Sequence, residues 1–174
     1  GNSRPKIGIR AIIDGRDGLR EMQSEPIRRL ADRLAGLVSA HVFYADGEPV
    51  QCVVSSQAIG SPVEAERVSE EFSRENVGGI INIARAWSYP CEVMHYDTRI
   101  PQAVWGFSGS DAPGTVFMGA LVAAAAQEGL PFFKIYGEDI QDKESGEIPE
   151  DVAKKLIRFG QCAIAMATMR GRAY

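Results

Sequence analysis

Hydrophobic and polar positions along the chain switch repeatedly between two rhythms. The first apolar run, Lys6–Ile7–Gly8–Ile9–Arg10, is rich in β-branched residues and continues through Ala11–Ile12–Ile13 into Asp14–Gly15–Arg16–Asp17–Gly18. That is the pattern of a buried strand ending in a polar turn. From Ser24 the period changes. Ile27, Leu30, Leu34, Leu37 and Val38 recur at spacings of three and four, one apolar stripe of an amphipathic helix. Ser24 is placed to cap it and Pro26 to occupy its first turn, so a helix is expected from 24 to about 39. Residues 50–54 read as a second strand. Ser61–Pro62 with Glu64 forms a capping-box pattern that opens a helix reaching about residue 76. Strands are expected at 78–84, 102–107 and 132–136, an alanine-rich helix at 113–128 closed by Gly129, and a last long helix from 149 to about 169.

Strand and helix alternate throughout, which predicts an α/β fold: a three-layer α/β/α open sheet, mostly parallel, flavodoxin- or Rossmann-like, of about five strands. Right-handed crossovers leave little topological freedom, and the order 2-1-3-4-5 is expected. At 174 residues the chain has the size of one domain with a single substantial core. Gly1–Asn2–Ser3 is set aside as a cloning remnant, leaving 4–174 as the domain.

Composition narrows the partners. A net charge of −4 leaves no basic footprint for nucleic acid or an anionic membrane. The longest helix-like apolar run, 118–126, falls well short of the roughly 20 residues that span a bilayer. Of the three cysteines, Cys52 and Cys162 are expected as buried small apolar residues, and Cys91 lies in a loop with no CxxC partner. Such thiol usage points to a reducing, cytoplasmic compartment.

In an open sheet of this kind ligands bind outside the C-terminal ends of the strands. The candidate loops are 11–23, 55–60, 85–96, 108–112 and 137–148, and the first and third should be neighbours. The third carries two large aromatics, Trp87 and Tyr89, suited to stacking on a ligand or filling a partner's pocket. Other chemistries fail. No GxGxxG follows the first strand and no GxxxxGK[ST] occurs, which removes dinucleotide and P-loop sites. His41 and His95 belong to no metal-spaced cluster. Residues 106–110 lack the spacing of a nucleophile elbow. A phospho-acceptor receiver would need an aspartate after strand three, where the chain has Ala84–Arg85–Ala86–Trp87. The carboxylates between Glu138 and Asp151 read as a solvated loop feeding the N-terminus of the last helix, where negative charge is favourable.

Specific residues say more than the pattern. Pro5–Lys6–Ile7–Gly8–Ile9–Arg10, Asp14–Gly15–Arg16, Phe72–Ser73 with Asn76–Val77–Gly78, and Trp87–Ser88–Tyr89 resemble the N-terminal domain of the L-fucose isomerase family. So do Val104–Trp105–Gly106–Phe107–Ser108–Gly109, Pro113–Gly114, Ile135–Tyr136–Gly137–Glu138–Asp139–Ile140–Gln141–Asp142, Lys154–Lys155–Leu156–Ile157–Arg158–Phe159 and the ending Met169–Arg170–Gly171–Arg172–Ala173–Tyr174. The motifs fall in the family's order over essentially the whole chain.

The resemblance implies a single N-terminal domain of a longer, metal-dependent aldose–ketose isomerase, with the middle and C-terminal domains absent. That enzyme interconverts L-fucose and L-fuculose, or a similar aldose such as D-arabinose, through an enediol-type intermediate. Its cofactor is Mn2+, held by two carboxylates and a histidine in the missing domains. This chain would then contribute no catalytic residue and no metal ligand, and would be inactive alone. The resemblance also implies that Arg16 and Trp87 touch the sugar in the site of an adjacent subunit of a homohexamer; Tyr89, two residues on from Trp87, joins them as a neighbour by position alone. A guanidinium offers planar donors to hydroxyls, and an indole face packs on the apolar patches of a deoxy sugar. The sequence departs from the family in having Ala11 where a proline is usual, and in the residues around Arg85–Ala86. L-fucose, D-arabinose and related aldoses therefore all stay open as substrates. The alternative is a non-catalytic sugar-binding or sensing α/β module. A structural oligomerisation role is compatible with the enzyme reading.

Overall fold

β-branched and apolar residues dominate the first run, and β1 (Lys6–Ile12) forms there, buried from Ile7 to Ile12. It is followed by α1 (Leu19–His41), β2 (Cys52–Val54), α2 (Pro62–Arg74), β3 (Val77–Ala84), β4 (Gln102–Gly106), β5 (Phe132–Ile135) and α3 (Glu150–Gly171). The computed structural model describes residues 4–16, 18–84, 100–106, 132–137 and 146–171. The alanine-rich helix expected at 113–128 lies outside them. The five strands form one sheet in the order β2-β1-β3-β4-β5, as expected from the sequence. All four pairings are parallel.

The sheet buries both faces, and the period of two sorts its side chains cleanly. Ile7, Ile9, Ala11 and Ile13 join Ile81, Ile83, Ala103 and Trp105 against the apolar stripes of α1 and α3. Ile27, Leu30, Leu34 and Val38 are that stripe on α1, and Leu37 packs at its margin. On the other face Ile12, Ile80, Ala84 and Val104 meet Ala65, Val68 and Phe72 of α2. Among the described residues, two helices on one face and one on the other give the three layers.

Most boundaries agree with the expected ones to within two residues, but α1 does not. It begins at Leu19, five residues before Ser24, and carries Pro26 in its interior rather than its first turn. Gly18, at φ 81°, precedes it in a conformation that a side chain would strain. The carbonyl of Arg16 accepts from Leu19 N and Arg20 N and so starts the helix early. Ser24 does not cap. Its hydroxyl donates back to the carbonyl of Arg20 at 2.6 Å, as serines inside helices do. The second helix starts as expected, with Ser61 Oγ accepting from Glu64 N.

Candidate functional site

β1 lies between β2 and β3 in the sheet, and the loop that follows it emerges at the C-terminal edge. Asp14 is 8% exposed, held at the end of the strand. The side chain of Arg16, two residues on, is 72% exposed. The two are joined in a fork: Arg16 Nε donates to both carboxylate oxygens at 3.0 Å, and Nη2 donates to Oδ2 at 2.5 Å. The backbone N–H of Arg16 also donates to Asp14 Oδ1 at 3.0 Å. These bonds to Arg16, the side-chain ones first, hold the Asp14 carboxyl below its ordinary range despite the opposing effect of burial. The result is an exposed, permanently charged guanidinium whose plane is set by a buried carboxylate.

The loop is braced from behind. Ile59 N donates to Ala11 O at 2.8 Å and Ile13 N to Ile59 O at 3.0 Å, tying the β2–α2 connection to the end of β1. Next along, the backbones of Gly15 and Gly60 touch. A Cβ on Gly15 would lie 2.1 Å from the carbonyl oxygen of Gly60. Gly60 leads directly into the cap of α2, where Glu64 Oε1 accepts from Gly60 N at 3.1 Å and from Ser61 Oγ at 3.0 Å. The same carboxylate takes both Nη groups of Arg20 at 2.6 Å. Arg20, ahead of Ser61 and Gly60, is the first cause of a Glu64 carboxyl held below its ordinary range. Beside this pair opens a cleft of about 440 Å³ between α1 and the end of β2, lined among others by Arg20, Glu21, Arg28, Ser55, Gln57 and Glu64.

Of the residues expected to touch a sugar, Arg16 therefore stands at the C-terminal edge of the sheet. Trp87 and Tyr89 lie outside the described residues. What is described is the strand that leads to them: Ala84, the last residue of β3, sits opposite Ile12 of β1. The first and third loops thus leave the sheet from neighbouring strands. Among the described residues no group of three His, Cys, Asp or Glu side chains could hold a metal ion. Nor is any described helix long and apolar enough to cross a membrane. His41 closes α1 and is exposed. Cys162, expected in the core, is instead exposed on α3, because it lies off the stripe formed by Leu156, Phe159, Gly160, Ala163 and Ile164. Cys52 is half-buried on β2, and burial pushes its thiol up to about 11.

Sequence reasoning missed one polar cluster. Arg10, Asn82 and Gln102 are 1%, 0% and 2% exposed on the α2 face of the sheet. Arg10 Nε donates to Asn82 Oδ1 and its Nη2 to Gln102 Oε1, each at 2.8 Å. Asn82 Nδ2 donates to the carbonyl of Ala103 at 3.0 Å. The signal was the strands' period. Arg10 and Asn82 are cross-strand partners, and polar residues at matched inward positions can satisfy one another.

Comparison with known proteins converges on one family. The family profile described as "L-fucose isomerase, first N-terminal domain" matches residues 4–171. The L-fucose isomerase of Bacteroides thetaiotaomicron is 46% identical over 171 residues, which are 98% of this chain and 29% of that protein. Those of Vibrio vulnificus and Haemophilus influenzae are each 42% identical, over 97% and 99% of this chain and 29% and 30% of their own lengths. The chain thus spans somewhat under a third of the relatives it matches.

Proposed function

This chain belongs to the family of first N-terminal domains of L-fucose isomerases, and from that premise we propose that it forms one wall of the sugar site of an aldose–ketose isomerase. The substrate is L-fucose, interconverted with L-fuculose, or a closely similar aldose such as D-arabinose. The observation that carries the reading is the Asp14–Arg16 fork, an exposed guanidinium set in orientation by a buried carboxylate at the C-terminal edge of a parallel sheet. That is where open α/β sheets present ligand contacts.

The chemistry of the side chain limits its role. A guanidinium keeps its protons at every working pH, so Arg16 binds and orients sugar oxygens and transfers no proton. Trp87, three residues along the chain from Ala84, supplies an aromatic face for the apolar side of the sugar, with Tyr89 as its neighbour. The proton transfers and the Mn2+ belong to the parts of the enzyme that this chain does not span, so this chain alone is inactive. In this reading the wall is offered to an adjacent subunit of a homohexamer, and the protein works in the cytoplasm.

The test is an aldose-to-ketose assay with manganese on the full-length protein carrying this chain, comparing wild type, Arg16→Ala and Trp87→Ala. A fall in kcat/KM for L-fucose of tenfold or more in either variant is expected, about 1.4 kcal/mol of transition-state binding. Turnover unchanged in both variants would remove the two residues from the site. An absence of turnover with every aldose would leave a sugar-binding module in its place.

A further inference from the structure

We infer that Glu64 is a positioning residue for Arg16, acting through its bidentate pair with Arg20 and its grip on Gly60. The inference rests on the reading of Arg16 as a sugar contact and goes beyond it to the side chain that keeps Arg16 in place. Three contacts carry it. Asp14, buried at the end of β1, orients the guanidinium of Arg16 from within the same loop. The loop's rear is seated on Gly60, where the close approach of Gly15 leaves no room for a Cβ on either residue. Its far end runs into α1, where the Arg16 carbonyl accepts from Arg20 N and the Arg20 side chain reaches 44 positions along the chain to Glu64. Glu64 holds both ends at once, Gly60 N and Ser61 Oγ on one oxygen and Arg20 on both.

The pair is also protected. The Glu64 side chain is 13% exposed and Arg20 37%, so solvent screens this pair less than the exposed ion pairs elsewhere on the surface. A capping glutamate needs only the N-terminal N–H groups of its own helix. Here the same carboxylate also carries a long-range bridge to the helix that follows the Arg16 loop. Weakening that bridge lets the loop and the start of α1 move together, and Arg16 loses its place while keeping its charge.

The experiment is a double-mutant cycle in the full-length enzyme, measuring KM and kcat for L-fucose in wild type, Glu64→Gln, Arg16→Ala and the double variant. Gln keeps the shape and one acceptor for Gly60 and Ser61 but gives up the charge that binds Arg20. Glu64→Gln is expected to raise KM threefold or more with a smaller change in kcat. The double variant is expected to match Arg16→Ala within twofold, because a residue that acts through Arg16 has nothing left to position. Losses that multiply in the double variant, or an unchanged KM in Glu64→Gln, would overturn the inference while leaving Arg16 in the site. An unchanged KM and kcat in Arg16→Ala would overturn the site and the inference with it. Should Glu64→Gln fail to fold, Arg20→Lys, which keeps the charge and loses the fork, enters the same cycle with the same expectations.

Discussion

Asp14 and Arg16 stand two residues apart, yet the side chain of one is buried and that of the other is open to solvent. The fork between them, Arg16's hydrogen bonds foremost, lowers the carboxyl below the 3.8 of an unperturbed aspartate. The sign of the consequence follows. The unfolded chain binds the proton more readily, so the stabilisation is fully present above about pH 4 and is lost as pH falls through the lowered folded value. Asp14→Asn is therefore expected to have a lower urea midpoint than wild type at pH 7, and the gap should close toward pH 2. Midpoints measured at both pH values check this, and a gap that persists in acid would assign the loss to shape rather than charge. Asp14–Gly15–Arg16 could be picked out as chemically unusual from the sequence. The orientation of its guanidinium could not, since that depends on how deeply the end of β1 is buried.

α1 is the element where local signals and the fold disagree. Ser24 and Pro26 form a good start signal, but the helix begins a turn and a half earlier and takes the proline inside. Pro26 cannot donate to the carbonyl of Met22, and its ring crowds that carbonyl. Pro26 lies one turn beyond Met22, which is 73% exposed, on a side of the helix open to solvent. Contacts hold the early turns in place of propensity: Arg16 O at the start and Glu64 on Arg20. Pro26→Ala restores the missing donor. Of the roughly 3 kcal/mol that a proline costs in a helix interior, part is offset by the greater freedom of the unfolded chain. A net gain of about 1–2 kcal/mol is expected, a rise in Tm of several degrees for a chain of this size. A lower Tm would mean that the proline turn is needed by the loop before it. Ser61 and Glu64 show the opposite case, a cap legible in sequence that forms as read and then takes on a second partner.

The whole molecule depends on how closely its layers approach. Gly79 of β3 faces α3, and a Cβ there would lie 2.6 Å from the Cβ of Ala163 and 3.2 Å from Ile7 Cδ1. Ala163 is on the helix's buried face and cannot swing aside, so a larger residue must push α3 off the sheet. Gly79→Val is expected to destabilise the chain by about 1–3 kcal/mol through overpacking, read as a lower midpoint in urea at unchanged slope. A neutral result would show that α3 can slide without loss. The architecture itself was legible, because five apolar runs separated by helical stripes allow few other arrangements once crossovers are right-handed. The closeness of α3 to β3 was not, because a glycine pair in a strand reads the same whether a helix or a turn lies over it.

By itself the sequence determined the identity of the layers, the cap on α2 and the residues with unusual chemistry, all of which follow from periodicity, capping stereochemistry and residue type within a few positions, and the strand order once the handedness of crossovers is added. The tertiary structure decided where α1 begins, which carboxylate holds Arg20, and that Arg10, Asn82 and Gln102 satisfy one another inside the sheet. Those outcomes rest on contacts between residues tens of positions apart. Their energies depend on burial and on register between strands, quantities that no local window of the chain contains.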